Sequence, residues 1–313
     1  MTFLGGAALL SRDERRASWV LIDDGEVARF GPALALADIR GAGSLDVLAE
    51  ETVPGVAGII SRRAGEMREP AGVWSLSGRE VRRAEPLLPV PVDAVDAVDA
   101  GGVADLAELA TLLASHGAEP TLEHGVLRGE VLGLEVARVI GGELVVGVGR
   151  HDRDARAEMR PGEDVGSALE EAVGAVRAWR RPGAARHPAN TLARSRWLRS
   201  LVIARPEVVG VSSLNVVAPP LPWFELPEAC AAPSVGCMAD GTDVVVVCSV
   251  GVDLDLIPTA ADCRVLYRPG AALILVVPEG DDVPVNRRLA AGLATPAEFV
   301  TVPRGWESIL AQP

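Results

Sequence analysis

Two nearly continuous apolar runs, at residues 244–250 (Ser249 its one polar side chain) and 272–277, constrain the fold of this chain more than any other stretch. A strand with one wet face alternates polar and apolar side chains, whereas a run that is apolar nearly throughout belongs to a strand covered on both faces. Residues 258–267 and 284–293 separate these runs from each other and from a third strand at 298–302. Each of the two segments opens on a proline, Pro258 and Pro284, which suits the first turn of a helix. Strand, helix, strand, helix, strand in so short a span predicts a small parallel sheet with Rossmann-like alternation.

The first 88 residues mix the same signals with hairpins. Segments 18–22 and 26–30 read as strands around Asp23-Asp24-Gly25, a hairpin signal. Gly31-Pro32 then opens a helix through Arg40, 45–49 reads as a strand, and 54–64 as a helix. Residues 73–76 and 80–83 flank Ser77-Gly78 as a second hairpin. A proline-rich linker over about 86–103 contains Val-Asp-Ala three times in tandem, which reads as a duplication in a tolerant surface loop. Beyond it come a helix at 104–115, strands at 129–139 and 143–148, and a helix at 164–180 stopped by Arg181-Pro182-Gly183. A helix capped by Asn190 or Thr191 runs to about Ala204. The expected architecture is two α/β domains breaking near 183–190. The N-terminal one, 1–183, holds a mixed sheet with hairpins, and the C-terminal one, 187–313, holds the parallel sheet.

Composition subtracts functions. All 30 basic side chains are arginine, with no lysine. That closes the phosphate loop that needs a lysine, the pyridoxal Schiff base and the kinase strand lysine. A formal charge of -13 argues against nonspecific nucleic-acid binding by the surface as a whole. No apolar run reaches the ~18 residues of a membrane helix. The charges after the short apolar stretch 3–10 follow it rather than precede it, unlike a signal peptide, so the expected compartment is the cytoplasm without a membrane partner. Cys230, Cys237, Cys248 and Cys263 form no CxxC pair and read as small buried side chains.

Against this acidic background, residues 172–206 hold eight arginines and no Asp or Glu. Arginine grips phosphate in bidentate fashion, and the interleaved Trp179 and Trp197 supply stacking faces. Arg180, Arg194, Arg196, Arg199 and Trp197 are therefore the candidate ligand-binding residues. A competing reading docks the same arm on the acidic remainder of the chain or on another subunit.

Three further constellations carry chemistry. Asp253 and Asp255 follow an apolar strand, where open α/β sheets place ligands. Two carboxylates there suit a divalent cation such as Mg2+, and Asp253 suits phosphoryl acceptance. Asp-x-Asp after a strand resembles the first motif of haloacid-dehalogenase-type phosphatases, which implies a metal-dependent phosphoester hydrolase. The Gly-Thr that follows in that family is Leu256-Ile257 here. Capping of the following helix by Asp255 is the alternative. His151, next to Asp152, is a general-base candidate. Glu130 and Glu135 on a helix–hairpin–helix block resemble restriction-type nuclease cores, but Val146-Gly147-Val148-Gly149-Arg150 lacks their acid-x-lysine, which implies an inactive relative.

The reading that absorbs most of these features is a cytoplasmic protein binding a phosphate-bearing ligand, nucleotide or nucleic acid, through the arginine segment. The alternatives are a phosphoester hydrolase at Asp253 and Asp255, and a noncatalytic homo-oligomer or inactive nuclease relative.

Overall fold

The computed structural model describes residues 2–3, 6–10, 16–88, 103–221 and 230–309. The protein is mixed α/β and has three sheets among those residues. The tandem Val-Asp-Ala segment lies outside them.

The first sheet runs β1 (Thr2–Phe3), β2 (Gly6–Leu10), β3 (Ala17–Ile22), β4 (Ser44–Glu50), β5 (Gly72–Ser77) and β6 (Glu80–Arg83), paired in that order. Strands β3, β4 and β5 are parallel, joined by α1 (Phe30–Arg40) and α2 (Val56–Gly65), and the outer pairs are antiparallel. The hairpin expected at 26–30 does not form. Val27, Phe30, Ala33 and Leu34 are buried at helical spacing, so this apolar run is the inner face of a 3-10 turn leading into α1. Asp24 fastens that turn by accepting from the Glu26 amide and the Arg29 Nε.

The second unit packs α3 (Val103–Ser115) and α5 (Val165–Trp179) on an antiparallel meander. Its strands are β7 (Glu119–Glu123), β8 (Val126–Val131), β9 (Leu134–Ile140) and β10 (Glu143–Val146). The segment 129–139, expected as one strand, is two. Leu132 and Gly133 both take left-handed backbone angles, φ 49° and 75°, and turn β8 back on itself as β9. Residues past the meander form a further helix, α4 (Gly149–Met159).

The third unit begins with α6 (Arg194–Ala204), which starts later than its expected cap because Pro188–Thr191 forms a separate 3-10 turn. It then pairs β11 (Val211–Val216), β12 (Ala232–Met238), β13 (Asp243–Cys248), β14 (Ala272–Pro278) and β15 (Glu298–Val302) in chain order. Helices α7 (Leu256–Tyr267) and α8 (Pro284–Ala291) connect the parallel strands β13, β14 and β15. Strands β11 and β12 join antiparallel, so the sheet is mixed rather than wholly parallel. Short α9 (Trp306–Ile309) follows β15. Both faces of this sheet are covered, as its apolar runs require. Trp197, Leu198, Leu201 and Val202 of α6 fill one face with Trp306, while α7 and α8 fill the other.

One core joins the first and third units: α1 and α2 lie against α7 and α8 between the two sheets. The two βαβαβ halves are related by an approximate two-fold. Three later elements start 226 residues after their counterparts (Ala17 and Asp243, Phe30 and Leu256, Gly72 and Glu298), and the other two start 228 after theirs (Ser44 and Ala272, Val56 and Pro284). Gly25, Pro32 and the pair Pro70-Ala71 recur at the 226-residue spacing as Gly251, Pro258 and Pro296-Ala297. At the axis Met67 bridges Leu293, with the Arg68 amide donating to Gly292 O and the Ala294 amide to Glu66 O. Alanines on the facing helices (Ala33, Ala57, Ala260 and Ala261) are fully or nearly buried, and their small size permits the close approach.

Candidate functional site: a basic cavity beside a buried ion network

The arginine segment divides in two. Arg180, Arg196 and Arg199 are buried. Arg196 pairs with Glu130 and, at 2.7 Å, with Glu123, and Arg199 Nη2 donates to Glu130 Oε2 at 2.9 Å. Glu135, opposite Glu130 in the β8–β9 register, accepts from Arg138 at 2.7 Å and Arg153 at 2.8 Å. Arg128 Nη1 lies 3.3 Å from Glu123 and 3.4 Å from Glu135. Three carboxylates are thus held among five guanidinium groups. Burial pushes the Glu130 carboxyl up, but Arg196 and Arg199 outweigh it and leave it below the usual carboxylate range. Removing one member of such a buried pair costs about 3–5 kcal/mol, because the other charge is left unpaired. Arg196 and Arg199 therefore fasten α6 to the meander instead of facing solvent. The same ion pairs engage Glu130 and Glu135, the two carboxylates of the nuclease-like pattern.

Arg180 has carbonyl partners. Its Nη1 donates to Leu132 O at 2.6 Å and its Nη2 to Leu192 O at 2.5 Å, with the guanidinium 4.5 Å over the Trp197 ring. Burial pulls it down to about 9, still above neutrality, so the cation persists.

Of the segment's other arginines, Arg181, Arg186 and Arg194 open onto a cavity of about 610 Å³, while Arg177 donates to Gly117 O and Arg205 pairs with Glu207. Arg181 and Arg186 line it, are exposed, and have no side-chain partner among the described residues. Arg194, at the first turn of α6, reaches in half-buried; Glu307 holds it at 2.5 Å and it lies 5.7 Å over Trp306. On another wall Trp179 and His187 stack with centroids 3.9 Å apart and planes 8° from parallel. The Ala189 amide donates to His187 Nδ1, which leaves Nε2 as the protonated nitrogen of the neutral ring. Trp197 Nε1 and Asn190 Oδ1, both on lining residues, are buried without partners: one donor and one acceptor. Cationic side chains and a flat aromatic pair converge on the cavity.

The carboxylate rim is committed elsewhere. Asp255 Oδ1 accepts from the Gly31 amide at 3.1 Å, and Oδ2 from Arg63 at 2.8 Å and Thr259 at 2.9 Å. Asp255 makes no side-chain cap to its own helix. It caps α1 of the other half, in an approach so close that a Cβ on Gly31 would lie 2.1 Å from Leu254 O. Burial pushes the Asp255 carboxyl up and Arg63 draws it back, with a net upward shift. Asp253 accepts from the Asp255 amide at 2.8 Å; burial, then the neighbouring Asp255, raise it to about 6. Asp281 Oδ2 is taken by the Gly251 amide. Among the described residues no three His, Cys, Asp or Glu side chains are grouped to hold a metal ion.

His151 is exposed on the first turn of α4, and the carboxylate of Asp152 accepts from the Val148 amide at 2.8 Å. The two form no acid–base pair. The cysteines are all free, Cys248 and Cys263 buried and the other two half-buried. No helix among the described residues is long and apolar enough to cross a membrane.

Sequence reasoning missed Arg181, Arg186, His187 and Asn190. A signal was present: Arg181-Pro182-Gly183 and His187-Pro188 are flanked by helix breakers, so these side chains leave the helices and stay near solvent. No family model, no curated protein and no solved structure matches the chain.

Proposed function

We propose that this protein binds a phosphate-bearing ligand, a nucleotide or short nucleic acid, in the cavity between the end of α5 and the start of α6. The observation that carries the reading is the pair Arg181 and Arg186. In a chain with 43 acidic and 30 basic side chains, both remain without an acidic partner among the described residues, on the wall of a cavity. Arg194 adds a third cation, already oriented by Glu307, and the Trp179–His187 stack offers a face for a base. The volume falls within the range of about 300–1,000 Å³ typical of small-ligand sites. The net charge of -13 repels long polyanions and favours a small ligand.

Both outer units are Rossmann-like in alternation, but their strands follow chain order without a reversal. Ligand crevices in open sheets form where the order reverses, which favours the cavity over the strand ends. On this reading the break near 183–190 is a wall of the site as well as a boundary between units.

The Arg181→Ala/Arg186→Ala double variant tests the proposal by titration of nucleotides and short oligonucleotides, followed through tryptophan fluorescence. Hydrogen bonds to charged groups contribute about 1.5–3 kcal/mol each, so affinity falls at least about tenfold. The salt dependence of the remaining binding flattens as well. Unchanged affinity in the double variant, or wild-type binding insensitive to salt, overturns the reading.

A further inference from the structure

The two halves of the pseudo-two-fold are not covered alike. Parallel strands are almost always covered on both faces, and the outer face of the third sheet is covered by α6, which lies over β11, β12 and β13, together with Trp306 of α9. The corresponding face of the first sheet, behind β3, β4 and β5, carries no such helix among the described residues. Alternation and register place Leu9, Trp19, Leu21, Leu48, Trp74 and Val81 together on it. Leu9 is 70% exposed, Val81 51% and Trp19 40%. Trp19 and Trp74 stack with centroids 6.4 Å apart.

We infer that this face is the contact between two copies of the chain, packed sheet on sheet. Three observations select that occupant. Strands β2 to β6 at ~4.8 Å spacing and ~3.3 Å per residue give a nearly square patch of roughly 24 by 20 Å. Its corrugated accessible surface is of the order of the ~800 Å² that each partner buries in a standard interface. A single helix, about 10 Å across, would cover only part of the five strands, as α6 lies over three strands of the third sheet. A second copy presents a face of the same size and the same apolar character. The charge on the patch is also low for a chain at -13. Asp46 is held by the Trp74 indole N–H at 3.0 Å, Arg83 lies 5.6 Å over the Trp74 ring, and Glu50 is the other acid, so two copies meet there with little repulsion.

Light scattering on the full chain at micromolar concentration gives twice the 32.6 kDa chain mass. In a two-fold contact each substitution enters twice, and like charges brought together cost several kcal/mol. Trp74→Glu and Leu9→Glu therefore each raise the dissociation constant by about a hundredfold or more, and the mass returns to that of one chain. Leu9 is exposed in the single chain, so Leu9→Glu keeps its far-ultraviolet circular dichroism and decides the matter if Trp74→Glu fails to fold. A wild-type mass of one chain at these concentrations, or a dimer that survives Leu9→Glu with its affinity unchanged, overturns the inference.

Discussion

Asp253 shows how a residue singled out for chemistry carries a measurable consequence of its own. Its carboxyl, raised to about 6 by burial and then by Asp255, holds its proton more tightly in the folded state than the ordinary 3.8 would predict. The fold is therefore stabilised where Asp253 is protonated, and loses that contribution as pH rises from the ordinary value through about 6. Asp253→Asn keeps an acceptor for the Asp255 amide and removes the charge. The variant should be more stable than wild type at neutral pH by about 1–3 kcal/mol, since each tenfold gain in proton affinity on folding corresponds to ~1.4 kcal/mol. Below the ordinary carboxyl value the two should converge, and thermal melts across pH would refute the assignment if the curves stayed parallel. Reading charges from sequence has a clear limit here. The acid-free segment 172–206 stands out, but Glu130 and Glu123, the partners of Arg196, lie 66 and 73 positions away in the chain. Sequence displays the sign of a charge, and only the fold says which opposite charge meets it.

Among the elements, what was legible followed from periodicity. The strands and helices of residues 244–302 stand within a few residues of their expected places, because nearly continuous apolar runs and proline-led helices leave few alternatives. The segment 129–139 reads as one strand because Val131, Leu132 and Leu134 keep it apolar across a turn. The turn is visible only in Gly133, whose backbone is left-handed and whose Cα touches α6. An added Cβ there would lie 2.3 Å from the Arg196 carbonyl carbon. Gly133→Ala should cost at least about 2 kcal/mol, from left-handed strain of ~1–2 kcal/mol plus the displacement of α6. Gly141, left-handed at φ 60° with open space around it, serves as the reference and should cost only the strain. Equal losses for the two variants in urea denaturation would show that the hairpin turn does not bear on α6. The cavity escaped sequence reading for the same reason: it is formed between elements, by side chains that their breakers push out of helices.

For the molecule as a whole, the shared core decides how it comes apart. With α1 and α2 packed on α7 and α8, neither outer unit buries its helices without the other. The ion pairs of Arg62 and Arg63 with Asp262, and of Arg63 with Asp255, cross the same boundary. Amides of β4 and β14 should therefore exchange with solvent at the same free energy of opening. A β4 that opens at several kcal/mol less would show that the halves unfold independently. The pairing was hidden in the sequence because at a spacing of 226 positions the repeat survives only as scattered identities, among them a glycine, two prolines and an alanine, too sparse to register as a repeat. That spacing is also a delay. At ~5–20 residues per second of synthesis, α1 and α2 wait on the order of 10–45 s for the helices that cover them. Throughout that interval the first half of the chain presents an apolar helix layer to the cell, so its fate before completion depends on whatever shields it.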